Sequence, residues 1–236
     1  MPEKPPIHHP VRSYVLRQGR ITPAQQQAIE QHWQTFGLDY RPETLDLDLA
    51  FGRQAPKVLE IGAGSGENAV TLARSRREND YLVLEVHRPG VGRLIRELAA
   101  LRLTNVRVIC HDAVDVLHHQ IGDNSLEQIL IFFPDPWPKK RHHKRRLIQP
   151  QFVSLLSRKL QDHGRIFMAT DWQDLAEHML NTCDESPDLV NLAGRGRFAP
   201  RPKWRPLTKF EQRGQRLQHG VWDLVYGVNR VDREKK

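Results

Sequence analysis

KVLEIGAGSGE, Lys57 to Glu67, sets a short apolar run against a turn built on three glycines. Val58, Leu59 and Ile61 stand with almost no polar alternation, the pattern of a strand covered on both faces. The glycines at 62, 64 and 66 let the chain turn sharply and bring its backbone close to a ligand. From Glu67 to Arg77 the apolar spacing becomes helical. A buried strand, a glycine turn and a helix form the opening unit of a parallel α/β sheet.

Outward from that unit the same alternation continues. YLVLEV (Tyr81–Val86) reads as a second buried strand, followed by a helix through GVGRLIRELAALRL. VRVIC (Val106–Cys110), a helix near Val114–His119 and LEQILIFF (Leu126–Phe133) come next. A helix over about Pro150–Gln161, a strand at GRIFMAT (Gly164–Thr170) and a helix from Trp172 to Cys183 follow. GVWDLVYGVNR (Gly220–Arg230) is a strand with no helix after it, so the last strands are expected to pair antiparallel. The fold class is a doubly wound, mostly parallel α/β sheet. Residues 1–50, dominated by Pro and polar side chains around one helical piece from about Pro23 to Phe36, read as an N-terminal extension to a domain over 51–236. Their basic opening, RSYVLRQGR (Arg12–Arg20), suits either a disordered arm or a flap over a site.

Charge narrows the partner. The 236 residues carry a net +8. Residues 132–147 hold six Lys and Arg against one Asp, and residues 195–216 hold eight against one Glu, so the rest of the chain is slightly acidic. Two basic segments on an acidic body point to a polyanion, nucleic acid first; the plainer reading is a solvated charged face. Cys110 and Cys183 match no metal spacing and suit a reduced, cytoplasmic chain. The pairs His8–His9, His118–His119 and His142–His143 lack the spacing by which a helix holds zinc, so no metal is expected. No apolar run is long enough for a membrane span, and MPEKPPIHHP has no signal-peptide core.

Ligands of such sheets bind beyond the carboxyl ends of the strands. There the sequence places Glu60, Glu85, Asp112 and Asp135, one at each of four successive strand ends. Glu85 suits a ribose diol and Asp112 an exocyclic amine, although Asp112 before AVDVLHH also reads as a helix N-cap. Four carboxylates disfavour a pyrophosphate, and the dinucleotide pattern G-x-G-x-x-G fails at Glu67. A cationic nucleoside fits better, and S-adenosylmethionine is the obvious one.

PDPWPKKRHHKRRL (Pro134–Leu147), with EIGAGSG upstream and ATDW (Ala169–Trp172) and RPLTKFEQRG (Arg205–Gly214) downstream, closely resembles the tRNA (guanine-N7-)-methyltransferase family, from about Val11 onward. The resemblance implies a Rossmann-like methyltransferase sheet and methyl transfer from S-adenosylmethionine to N7 of guanine 46 in the tRNA variable loop. It puts cofactor contacts on Glu60, Gly62, Gly64, Glu85, Asp112 and Asp135, with Asp135 also catalytic. Substrate contacts fall on Lys139, Asp171, Thr208, Lys209, Phe210 and Glu211, and RNA contacts on Arg141, His142, His143, Lys144, Arg145 and Arg146. tRNA is the implied partner, with no obligatory protein partner and a monomer or homodimer left open. Two other readings stay open: a methyltransferase acting on an exocyclic amine, and an RNA-binding module on an inactive core.

Overall fold

The computed structural model describes residues 12–14, 19–207, 211 and 220–229. In chain order they form α1 (Pro23–Phe36), α2 (Leu47–Phe51), β1 (Lys57–Ile61), α3 (Glu67–Ser75), β2 (Asp80–Leu84), α4 (Arg88–Leu101) and β3 (Val106–Ile109). Next come α5 (Ala113–His119), β4 (Leu126–Phe132), a 3-10 turn (Lys140–Arg145), α6 (Pro150–Lys159) and β5 (Leu160–Thr170). The chain then forms α7 (Gln173–Asp184), β6 (Leu189–Asn191) and β7 (Trp222–Val228). These strands make one seven-stranded sheet in the order β3-β2-β1-β4-β5-β7-β6. β1 to β5 pair parallel, and β7 lies antiparallel between β5 and β6. This is the doubly wound, mostly parallel sheet with antiparallel final strands expected from the sequence.

The continuous apolar runs have a direct cause: both faces of the sheet are covered. Val58, Val83, Val108 and Leu130 pack against α1, α3 and α4, while Leu59, Leu84, Ile109 and Ile129 pack against α2, α5, α6 and α7. Successive residues of each strand thus serve opposite layers. Each such side chain contributes about 1.5–3 kcal/mol by leaving water. Among the described residues no helix is long and apolar enough to cross a membrane.

α1 and α2 fall within the stretch read as an extension, and both reach the core. α1 opens on a capping box, with Thr22 Oγ1 accepting from Gln25 N (3.3 Å) and Gln25 Oε1 accepting from Thr22 N (2.8 Å). Its Ala28, Ile29 and Phe36 are buried in the α4 layer, and Leu47 and Phe51 of α2 are buried in the opposite one. Ion pairs from Lys57 to Asp48 (2.6 Å) and from Arg53 to Asp80 (2.7 Å) fasten α2 to the first two strands. α2 and β6 were not foreseen in the sequence. α6 stops at Lys159, two residues early, because Asn124 N and Ser125 N donate to Arg158 O (2.9 Å) and Lys159 O (3.0 Å) and draw the chain into β5.

Candidate active site

The order of the sheet turns back between β1 and β4, and a cavity of about 840 Å³ opens beyond their carboxyl ends. Its walls include Gly62–Ser65 after β1, Glu85–His87 after β2, His111–Ala113 after β3 and Phe132–Asp135 after β4. Glu60, Glu85, Asp112 and Asp135 all line it, so the four carboxylates spread over 76 residues of chain meet at one site.

Each carboxylate is held differently. Glu60 is only 3 % exposed, and among the described residues its Oε2 has no hydrogen-bond partner. Burial raises its pKa to about 7, with the negative Glu85 adding to the effect. Asn68 faces it and moderates the shift, although neither amide atom of Asn68 reaches ordinary hydrogen-bond geometry. Glu85 is fixed by backbone donors, Gly64 N to Oε2 (2.6 Å) and His87 N to Oε1 (2.8 Å). Each of its oxygens keeps a further lone pair for a ligand hydroxyl. Asp112 caps α5 by accepting from Val114 N (2.9 Å) and also faces the cavity, so its two sequence readings coexist. Burial raises its pKa. The turn between these acids needs its glycines for conformation: φ is +75° at Gly62 and +58° at Gly64, and a Cβ at either would meet only open space.

Asp135 sits on a loop held at both ends in a costly conformation. Phe133 (φ 52°) and Trp137 (φ 45°) are left-handed without being glycine, at roughly 1–3 kcal/mol each. The surroundings hold them there. Phe133 N donates to Ala169 O of β5 (2.8 Å), and Arg146 Nε donates to Pro136 O (3.2 Å). The same guanidinium bonds the carboxylate of Asp174 and donates to Asp174 O (3.4 Å), tying the loop to the first turn of α7. The Arg146 hydrogen bond holds the Asp174 carboxyl below the usual range. Trp137 Nε1 donates to Ser13 O (3.0 Å), and Arg145 lies 3.9 Å over the Trp137 ring while donating to Arg12 O and Tyr14 O. Ser13 and Tyr14 in turn line the cavity. Residues 12–14 therefore lie over the site, as a flap would.

The basic run divides in two. Lys139, Lys140, Arg141 and Lys144 are exposed, and His142 and His143 are half-buried. Arg145 is turned to the N-terminal segment, and Arg146 is 2 % exposed beneath the loop, out of reach of a phosphate. Asp171 follows β5 and is half-buried, at the edge that carries Asp135. Thr208, Lys209 and Phe210 lie outside the described residues. Glu211 is 1 % exposed and faces inward: Arg205 donates to both its oxygens (2.7 and 2.8 Å) and Arg201 Nε to Oε1 (3.0 Å). Arg205 also pairs with Asp223 of β7 (2.9 Å) and lies under the Phe132 and Phe133 rings. Arg146, expected from the resemblance to contact RNA, is thus a clamp within the fold, and Arg205 is a second clamp that sequence reasoning did not assign. A signal for the second was available, since Asp223 interrupts the apolar VWDLVYGV and a charge inside a buried strand needs a partner.

Comparison with known proteins identifies the family. The family model described as "Putative methyltransferase" matches residues 54–224. A tRNA (guanine-N(7)-)-methyltransferase of Xanthomonas campestris pv. campestris is 56% identical over 216 residues, covering 92% of this chain and 83% of that protein. Proteins of the same name from Aeromonas hydrophila subsp. hydrophila (51%, covering 92% and 91%) and Nitrosospira multiformis (52%, covering 93% and 95%) are similar over nearly their whole length. Among solved structures, the 16S rRNA methyltransferase KamB shares the fold at a TM-score of 0.53 and 14% identity, over 77% of this chain and 91% of that one. With the glycine turn, the four converging carboxylates and the Pro-Asp-Pro-Trp-Pro loop in the places such a fold uses for its ligand, and with identities above half over most of the chain, the protein belongs to the tRNA (guanine-N(7)-)-methyltransferase family.

Proposed function

We propose that this protein transfers a methyl group from S-adenosylmethionine to N7 of guanine 46 in the tRNA variable loop, giving 7-methylguanosine and S-adenosylhomocysteine. S-adenosylmethionine is the methyl donor that a chain of this methyltransferase family calls for. The cavity residues suit it on chemical grounds. The buried Oε2 of Glu60 lacks a partner among the described residues and suits a cationic group; Glu85, held by two backbone donors, suits the ribose diol. Asp112 suits the exocyclic amine of the base. When bound, the cofactor supplies an electrophilic methyl on a positively charged sulfur.

Guanine N7 has a lone pair and no proton to lose, so the protein needs no strong general base. Its task is placement, which supplies roughly 7–11 kcal/mol of a barrier in favourable cases. Positive charge passes to the guanine, and a fixed carboxylate beside the base stabilises it as it develops. Asp135 serves that role, accepting from the guanine N1–H or amino group, on a loop that Arg146 and the prolines at 134, 136 and 138 keep stiff. Lys139, Arg141 and Lys144 draw the RNA backbone to the same rim.

One observation carries the reading: the acid loop that closes the cavity continues directly into exposed cations at Lys139, Lys140, Arg141 and Lys144. The test is incubation with labelled S-adenosylmethionine and either unmodified tRNA or the same tRNA with guanine 46 replaced by adenine, followed by nucleoside analysis. 7-Methylguanosine should form only in the first. Equal labelling of both would refute the position, and a different methylated nucleoside would refute the atom.

A further inference from the structure

Trp172 is 43 % exposed, and among the described residues no other Trp, Tyr or Phe is so open to solvent. A tryptophan normally contributes to stability by hiding its large apolar face, so an indole left in water calls for a partner. The backbone at this position is held on both sides. Trp172 N donates to Thr170 Oγ1 (3.2 Å), and Trp172 O accepts from Ala176 N (2.9 Å) as the cap of α7. Two residues on, Asp174 is the group that Arg146 joins to the Asp135 loop. The indole is therefore carried on a segment joined to the Asp135 loop.

One flank is cationic. Arg146 brings the run with Lys140, Arg141 and Lys144 to one side. An aromatic face beside phosphate-seeking side chains is how proteins hold unpaired bases: the cations track the backbone and the ring takes the base. A protein partner would require an apolar surround, and here the adjoining run is charged.

We propose that Trp172 is a stacking platform for an unpaired base of the substrate RNA, delivering the strand to the Asp135 loop. The inference rests on the RNA-methylating reading above and adds a contact that positions substrate rather than cofactor. The test is filter binding of unmodified tRNA and calorimetry with S-adenosylhomocysteine, run on wild type, Trp172→Ala and Trp172→Phe. Loss of one base stack should weaken tRNA binding by about 5- to 150-fold in Trp172→Ala. Trp172→Phe should recover most of it, and both variants should bind S-adenosylhomocysteine as wild type does. In wild type, tRNA should quench part of the indole emission, and that part should be absent from Trp172→Phe while its tRNA binding persists. Unchanged tRNA affinity in Trp172→Ala, or full quenching in Trp172→Phe, would overturn the proposal. A parallel fall in S-adenosylhomocysteine affinity would assign the residue to the fold instead. If wild type makes no 7-methylguanosine while the variants still lose tRNA, the stacking surface stands and the assignment of the methylated atom falls.

Discussion

At the residue scale the informative group is Glu60, whose carboxyl is raised from 4.5 to about 7 by burial. Between those values the folded chain holds a proton that the unfolded chain has released. The stability this proton brings is complete below the ordinary carboxylate value and is lost as pH rises through about 7. Glu60→Gln should therefore stabilise the cofactor-free protein by under about 1 kcal/mol at pH 5 and by about 3 kcal/mol at pH 8. Thermal melts at the two pH values measure the difference; an equal gain at both would contradict the raised pKa. A cationic group beside it, such as the α-ammonium of S-adenosylhomocysteine, favours the ionised form, so wild-type affinity for that ligand should weaken about tenfold from pH 8 to pH 6, whereas Glu60→Gln should bind weakly and without that dependence. Asp135 acts at the other end of the cavity. Asp135→Asn keeps the shape and removes the charge, so single-turnover methylation should drop steeply while tRNA affinity holds. Near-normal turnover in that variant would remove the electrostatic role. Both carboxylates were legible in the sequence because strand ends are where such sheets bind. The orphaned Oε2 of Glu60 was not, since burial of one oxygen depends on how Asn68 and the glycine turn pack.

At the scale of elements, one basic run performs two tasks. Lys and Arg that meet phosphates release counterions, and each lost contact lowers the slope of log affinity against log salt by about 0.7–0.9. Arg141→Ala with Lys144→Ala should flatten the slope for tRNA by about 1.4–1.8, because both side chains are exposed. Arg146→Ala should leave the slope unchanged and lower the single-turnover rate, because it frees Pro136 and Asp174 from a common clamp. Salt-series filter binding paired with rapid-quench kinetics separates the two; a salt slope altered by Arg146→Ala would mean that the side chain reaches RNA after all. Charge pattern alone could not reveal this division, since six of eight consecutive residues are Lys or Arg and nothing local marks the one that turns inward. The long, doubly covered strands were legible for the opposite reason, as their burial is written into every residue. α2 and β6 escaped notice because five and three residues give no period to count.

At the scale of the whole molecule, segments around residues 62, 85, 112 and 135 meet only because the sheet order reverses between β1 and β4. The alternation of strands and helices predicts that arrangement. It does not predict that residues 12–14 lie across the opening, where Trp137 and Arg145 hold them by contacts spanning more than 120 residues. A ligand that bridges the four segments should stabilise them as one unit. At a concentration 100 times its Kd, S-adenosylhomocysteine should add about 2.7 kcal/mol. For a chain of 236 residues that is a rise in Tm of about 5–11 °C. Hydrogen exchange should slow together at 62–66, 85–90, 111–114 and 133–137, and at Ser13 and Tyr14, with β6 showing at most the slowing that global stabilisation brings. Protection confined to the first two segments, with Asp135 and the N-terminal residues exchanging as before, would mean that the loop bearing the acid is not part of the cofactor site and that the flap closes over something else.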